Sequence, residues 1–181
     1  MRIEKSFRSD QEVILKFLDV LGGGSAVLSG NKKARPGFFI FAHTFIQEFI
    51  EGSFFHKEEL LVEALANNGF PVDEGPVGAM LAEQTKAHDA AQHMMSAAKG
   101  WQEGDEEARG EVGWATSEYT STLRQHIDRL KNLIFPLLEQ NISPAALIPL
   151  FQILAHKNMH DQIFYLRWPR VEPNRYNFYL F

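Results

Sequence analysis

The histidine and cysteine content limits the chemistry that this chain can perform. It has seven histidines and no cysteine, which excludes disulfides, thiolate metal sites, iron–sulfur clusters and cysteine nucleophiles. Any metal would therefore be held by imidazole, carboxylate, amide or water ligands. His156 and His160, with Asp161 adjacent, have the i,i+4 spacing that could hold a divalent ion on one helix face. Such pairs are more often exposed and metal-free.

Charge and hydropathy exclude two classes of partner. The 181 residues carry a formal net charge of -5, whereas nucleic-acid binding needs a concentrated field of Lys and Arg. The sequence contains no stretch of roughly 18 uncharged apolar residues, and Met1–Ser9 has no apolar run of signal-peptide type. We therefore expect a cytoplasmic protein that binds neither nucleic acid nor membrane.

Apolar spacing, interrupted by glycine and proline, divides the chain into five helices. Ser9 and Glu12 have the spacing of a capping box at the start of the first helix. Gly52 predicts strain within the second helix, and Pro136 predicts a kink or local end within the fourth. The predicted helices run approximately from Ser9 to Gly22, Pro36 to Asn68, Val77 to Lys99, Arg109 to Gln140 and Ser143 to Trp168.

These elements predict an all-α fold, an up-down antiparallel four-helix bundle with an additional C-terminal helix. The prediction follows because the connections between the four main helices are mostly short. We expect the bundle to comprise residues 1–142, and the C-terminal helix and aromatic tail, residues 143–181, to pack on it. The tail ends in Tyr176-Asn177-Phe178-Tyr179-Leu180-Phe181. Docking onto a groove of the bundle is favoured because exposed aromatic side chains promote association.

Three motifs resemble the bacterial hemerythrin-like, or HHE cation-binding, family. They are Phe54-Phe55-His56-Lys57-Glu58-Glu59-Leu60-Leu61; Gly69-Phe70-Pro71 with Gly75-Pro76-Val77-Gly78-Ala79-Met80-Leu81-Ala82-Glu83; and His126-Ile127-Asp128-Arg129 with Asn132 and Ile134-Phe135-Pro136. The resemblance covers roughly residues 8–140 and leaves the C-terminal segment outside it. It implies a bundle that holds carboxylate-bridged dinuclear iron between four helices.

Only some of the ligand positions implied by the resemblance hold ligand residues in this chain. The positions where another residue replaces an expected histidine or carboxylate are Gln11, Phe54 or Phe55, Gln84 and Leu130. The remaining candidate ligands are Glu58 or Glu59, His88 and His126, with Gln84 or water completing the set. Two histidines and one carboxylate would hold one iron ion, or one manganese or zinc ion, per chain.

Two functions are compatible with this depleted set. The first is a mononuclear metal site whose open positions admit a small ligand such as oxygen or peroxide, in a sensor or a minor oxidative enzyme. The second is a metal-free bundle that binds a ligand or a regulatory partner. In it, Lys131 pairs with Glu58 or Glu59 in the cavity where the family holds its metal. A remodelled dinuclear centre that uses His43 or His56 is a third arrangement. The acidic surface and the tail are compatible with a homodimer without predicting one.

Overall fold

The computed structural model describes residues 3–28 and 34–154, and all regular elements within these ranges are helical. The α-helices are α1 (Glu4–Leu28), α2 (Pro36–Phe45), α3 (His56–Asn67), α4 (Gly75–Gln102), α5 (Ala108–Arg129) and α6 (Phe135–Asn141). A first π segment, Ile46–Phe55, joins α2 to α3, and a second π segment, Leu130–Ile134, joins α5 to α6. Residues 144–154 are also helical. The predicted all-α bundle is confirmed.

Neighbouring helices run in opposite directions. In each pair of neighbours, residues with higher numbers on one helix contact residues with lower numbers on the other. The pairs are Asp19–Arg124 and Leu28–Arg109 between α1 and α5, Glu83–Arg129 and His93–Glu111 between α4 and α5, and Phe7–Phe54 and Phe17–Phe45 between α1 and the second rod. The second rod is the continuous run of α2, the first π segment and α3. The four rods are α1, this second rod, α4 and α5, and they enclose one apolar core.

The first helix begins before its predicted start. α1 starts at Glu4, so Ser9 and Glu12 lie within the helix and the predicted capping box is wrong. The reason is tertiary: Phe7, which precedes the predicted cap, is fully buried against Phe54 and Phe135. Burial of that ring stabilises an extra N-terminal turn that local capping rules do not anticipate.

The glycine run does not end α1, which continues to Leu28. A Cβ added at Gly24 would lie 2.3 Å from Cε1 of Phe38, whereas a Cβ at Gly22 would meet nothing within 4 Å. Gly24 therefore serves the close approach of α1 to α2, and the predicted helix end at Gly22 is wrong.

The first π segment contains Gly52, where the sequence predicts strain. A Cβ at this glycine would lie 3.0 Å from a backbone oxygen, that of Gln47. A π-helical turn carries more residues than an α-helical turn, so it rotates the faces of the helix that follows. Phe54 near the end of this segment and Lys57 and Glu58 in α3 are all buried, which is the i, i+3, i+4 pattern of one face. Two ionisable side chains thereby enter the interior.

The predicted irregularity at Pro136 takes the form of the second π segment. Pro136 lies at the start of α6 and has no N–H to donate to the carbonyl four residues earlier, so the regular hydrogen-bond ladder cannot continue through it. Within the π segment Leu130 and Ile134 are buried, whereas Leu133 is 46% exposed. The widened turn thus decides which side chains near the candidate site face inward.

The C-terminal helix is described as far as residue 154. Its predicted continuation to Trp168, the His156–His160 pair with Asp161 and the aromatic tail lie outside the described residues. None of the described helices combines the length and the apolar character needed to cross a membrane.

Candidate functional site

Three of the five candidate ligands meet in the interior of the bundle. Glu58 on α3 and His126 on α5 are both fully buried. His126 Nε2 lies 2.9 Å from Oε2 and 3.0 Å from Oε1 of Glu58. The side-chain amide of Gln84, on α4, donates to Glu58 Oε2 at 2.5 Å. The carboxylate of Glu58 is therefore held by N–H groups from two other helices.

A second ion pair adjoins this contact. Arg129 Nη2 donates to Glu83 Oε1 at 2.7 Å, and Arg129 Nε lies 3.0 Å from both oxygens of that carboxylate. Glu83 Oε2 is 3.6 Å from His126 Nδ1, which is too long for a good hydrogen bond. Two carboxylates and two cationic groups thus alternate through the site, in the order Glu58, His126, Glu83 and Arg129. We refer to these four residues as the central network.

The central network favours a protonated His126. Burial disfavours the charged ring, but the charge and hydrogen bonds of Glu58, with a contribution from Glu83, outweigh burial and raise the pKa of His126 to about 9. Burial also disfavours ionised Glu83, but His126 and Arg129 outweigh it and lower the pKa of that carboxyl. At neutral pH the two positive and two negative charges balance without an added cation.

The other two candidate ligands lie elsewhere. Glu59 follows Glu58 directly, and successive side chains on an α-helix point in directions about 100° apart. Glu59 therefore lies at the surface, where it contacts His56 at 2.6 Å. His88 lies one turn beyond Gln84 on α4, and its Nδ1 is 3.0 Å from Glu51 in the first π segment. Because α4 and the second rod are antiparallel, this extra turn carries His88 away from Glu58. The structure does not bring His88 or Glu59 to His126.

Apolar side chains occupy other positions that the family resemblance assigns to ligands. Phe54 is fully buried with its ring centroid 5.9 Å from that of Phe7. The ring of Phe55 meets His126 edge-on, with centroids 5.4 Å apart. Leu130 is fully buried as well. These side chains fill space on the α1 and α5 sides of the central network.

The buried lysine is not the one that the sequence predicts. Lys131 is exposed. The predicted pair of its ammonium group with Glu58 or Glu59 inside the bundle is therefore wrong. Lys57 is fully buried instead, and its Nζ lies 2.7 Å from Asp10 Oδ2. The second π segment turns residue 131 outward, whereas α3 carries Lys57 on the same face as Glu58.

Sequence reasoning also missed the roles of Glu83 and Arg129. Both belong to the motifs quoted above, but as framework residues. One signal was available: Arg129 follows His126 by three positions, which places both on one helix face. The pairing of Asp10 with Lys57 joins residues 47 positions apart and has no local signal.

Two further buried polar side chains are His43 on α2 and Tyr119 on α5, seven positions before His126. The Nε2 atom of His43 and the hydroxyl of Tyr119 are buried without a hydrogen-bond partner among the described residues. Burial lowers the pKa of His43 against the opposing field of Glu51. Burial and the charge of Glu51 both raise the pKa of Tyr119. These groups are neutral, in contrast to the charged central network.

The residues at the centre do not fit a metal ion in this arrangement. In the described ranges, no three His, Asp or Glu side chains are grouped so that they could hold one. Glu58 already accepts from His126 and Gln84. A metal ligand must offer a lone pair, so a bound ion would require His126 to lose a proton and Glu58 to exchange its N–H donors for the metal.

Comparison with known protein families identifies the hemerythrin HHE cation binding domain, whose family model matches residues 5–138. No match was found among curated proteins or among solved structures. The matched range contains the whole central network and all four rods except Glu4, the first residue of α1.

Proposed function

Because the chain belongs to the hemerythrin HHE cation-binding family, we propose that it is a metal-independent member, whose bundle acts as a ligand-binding or regulatory interaction module. The observation that carries this proposal is the contact of His126 with both oxygens of Glu58, at 2.9 and 3.0 Å. Both residues are among the candidate ligands that the resemblance retains, and they contact each other.

Charge compensation supports the proposal. The imidazolium of His126 and the guanidinium of Arg129 supply the positive charge that an ion would otherwise supply to Glu58 and Glu83. Breaking a buried ion pair by removing one partner costs roughly 3–5 kcal/mol. A metal would have to recover a comparable free energy before it bound with net affinity.

Burial argues against chemistry on a substrate at this centre. Glu58 and His126 are both fully buried, and the ring of Phe55 lies against His126. A substrate would need to displace packed side chains to reach either group. A structural role for the central network, with binding on the outer surface, needs no such displacement.

The competing function is a mononuclear iron, manganese or zinc site with a sensing or oxygen-related role. It requires Glu58 and His126 to separate and to recruit at least one further ligand, such as Gln84 or water. Glu83 is the nearest additional carboxylate, but Arg129 binds both of its oxygens.

Metal analysis tests the proposal. The protein is purified without chelator, dialysed, and assayed for iron, manganese and zinc, before and after incubation with each ion. We expect substoichiometric metal and a melting temperature that neither ion nor chelator changes. Stoichiometric metal that survives dialysis and is lost in His126→Gln, but is kept in the surface control His56→Gln, would overturn the proposal in favour of the mononuclear site.

A further inference from the structure

An apolar groove lies where α6 meets the C-terminal helix. It has a volume of about 520 Å³, and its lining includes Glu139, Ile142, Ala145, Leu147, Ile148 and Phe151. Ile148 is 53% exposed, which makes it one of the most exposed large apolar side chains in the described ranges. A volume of this size is within the range of sites that bind small ligands or short peptide segments.

We propose that the C-terminal residues of this chain, 169–181, dock into this groove and cover Ile148. Fourteen residues, 155–168, separate this segment from the described end of the helix that forms one wall of the groove. It ends in Tyr176-Asn177-Phe178-Tyr179-Leu180-Phe181, a concentration of aromatic and aliphatic side chains that matches an apolar receptor surface.

The composition of the segment fits the groove in two ways. In an extended peptide every second side chain faces the same side, so Tyr176, Phe178 and Leu180 can present one apolar edge to Ile148 and Phe151. Arg175 stands immediately before this run, and Glu139 supplies a carboxylate at the groove. Opposite charges at the rim favour one orientation of the peptide.

The C-terminal segment is long enough to reach back to the groove. If residues 155–168 continued the C-terminal helix, residue 168 would lie 20 positions, or about 30 Å at 1.5 Å per residue, beyond Ile148. An extended peptide covers roughly 3.3 Å per residue, so residues 169–181 reach about 40 Å. Pro169 and Pro173 favour extended backbone in the residues before them. Reach therefore does not limit docking.

Docking within one chain has a regulatory consequence, and this consequence alone rests on the proposed function. A partner with a similar aromatic peptide would have to displace residues 169–181, which are held at a high effective concentration by the covalent link. The groove would then be a partner site that its own C-terminus blocks.

Paramagnetic relaxation in the full-length protein tests the docking. The chain has no cysteine, so Ala145→Cys gives a single attachment point for a nitroxide in the groove. Ser117→Cys gives a matched label on α5, 22 positions before Glu139 of the groove and therefore about 33 Å away along the rod at 1.5 Å per residue. We expect the amide resonances of residues 176–181 to lose intensity with the label at 145 and to keep it with the label at 117.

Two aspartate variants sharpen the test. Ile148→Asp places a charge in the groove, and Ile153→Asp places one on an exposed position outside its lining. The first variant should restore the lost intensity, and the second should not. Unchanged intensity with the label at 145 overturns the proposal. It is also overturned if ¹⁵N-labelled chains lose intensity only when mixed with nitroxide-labelled chains, because a second copy then occupies the groove. Neither readout depends on metal content, so failure here is distinct from failure of the proposed function.

Discussion

His126 of α5 and Glu58 of α3 contact each other inside the bundle, 68 positions apart in sequence and with neither side chain exposed. A retained histidine and a retained carboxylate would suggest a cation site by residue type alone. Their mutual contact gives them a different role, since each satisfies the charge of the other.

Replacement of His126 should destabilise the fold without any metal being involved. His126→Gln leaves Glu58 buried with less compensating charge, and removal of one partner from such a pair costs roughly 3–5 kcal/mol. Urea denaturation in the presence of chelator measures the change. The control is His88→Gln, because His88 is half-exposed beside Glu51 and surface pairs contribute about 1 kcal/mol or less. Equal effects of the two variants would contradict the central network.

Stability should fall as the pH rises through the alkaline range. The pKa of His126 is raised to about 9 in the folded protein, from 6.5. The folded state therefore binds the proton more tightly, and its stabilising contribution is complete below about pH 6.5 and is lost as the pH approaches 9. At 1.36 kcal/mol per pKa unit the loss is about 3 kcal/mol. Urea midpoints between these two pH values measure it, and the slope should be absent in His126→Gln. A slope that persists in the variant would assign the effect to other groups.

The buried pair of Lys57 and Asp10 should show strong energetic coupling. Lys57→Met leaves a buried carboxylate with less compensation, at a cost of roughly 3–5 kcal/mol. The double variant with Asp10→Asn should recover part of that loss, since neither charge remains. A double-mutant cycle by chemical denaturation gives the coupling energy. Lys86 and Glu118, whose side chains are 58% and 26% exposed, form the control cycle, which should yield about 1 kcal/mol or less. Similar coupling in both cycles would contradict the burial of Lys57.

Two glycines of one helix should respond in opposite directions to alanine. Gly24→Ala forces a methyl group against the Phe38 ring, 2.3 Å from its Cε1, and overpacking of this kind costs roughly 1–3 kcal/mol. Gly22→Ala meets nothing within 4 Å and should stabilise α1 by about 0.5–1 kcal/mol, because alanine loses less backbone entropy than glycine. Thermal unfolding of the two variants decides the matter. Destabilisation by both would mean that α1 is interrupted at the glycine run.

The sequence by itself determined the class of fold and the family. Apolar spacing and the predicted helix starts at Pro36 and Ser143 lead to a helical bundle, and the motifs around Glu58, Glu83 and His126 lead to the hemerythrin-like family. These features are local in sequence, so they can be recognised without knowing how the helices pack against each other. The placement of Gln84 with Glu58 and His126 also follows from family positions.

The tertiary structure alone decided which charges are buried and what they contact. A change of one position rotates a side chain by about 100° on an α-helix, and the two π segments alter that rotation where Glu58 and Lys131 are placed. Glu58 therefore faces inward while Glu59 faces solvent, and Lys57, not Lys131, enters the core. Antiparallel register then pairs His88 with Glu51. Rotation and register are collective properties of packed helices, which is why motif spacing could not assign these contacts.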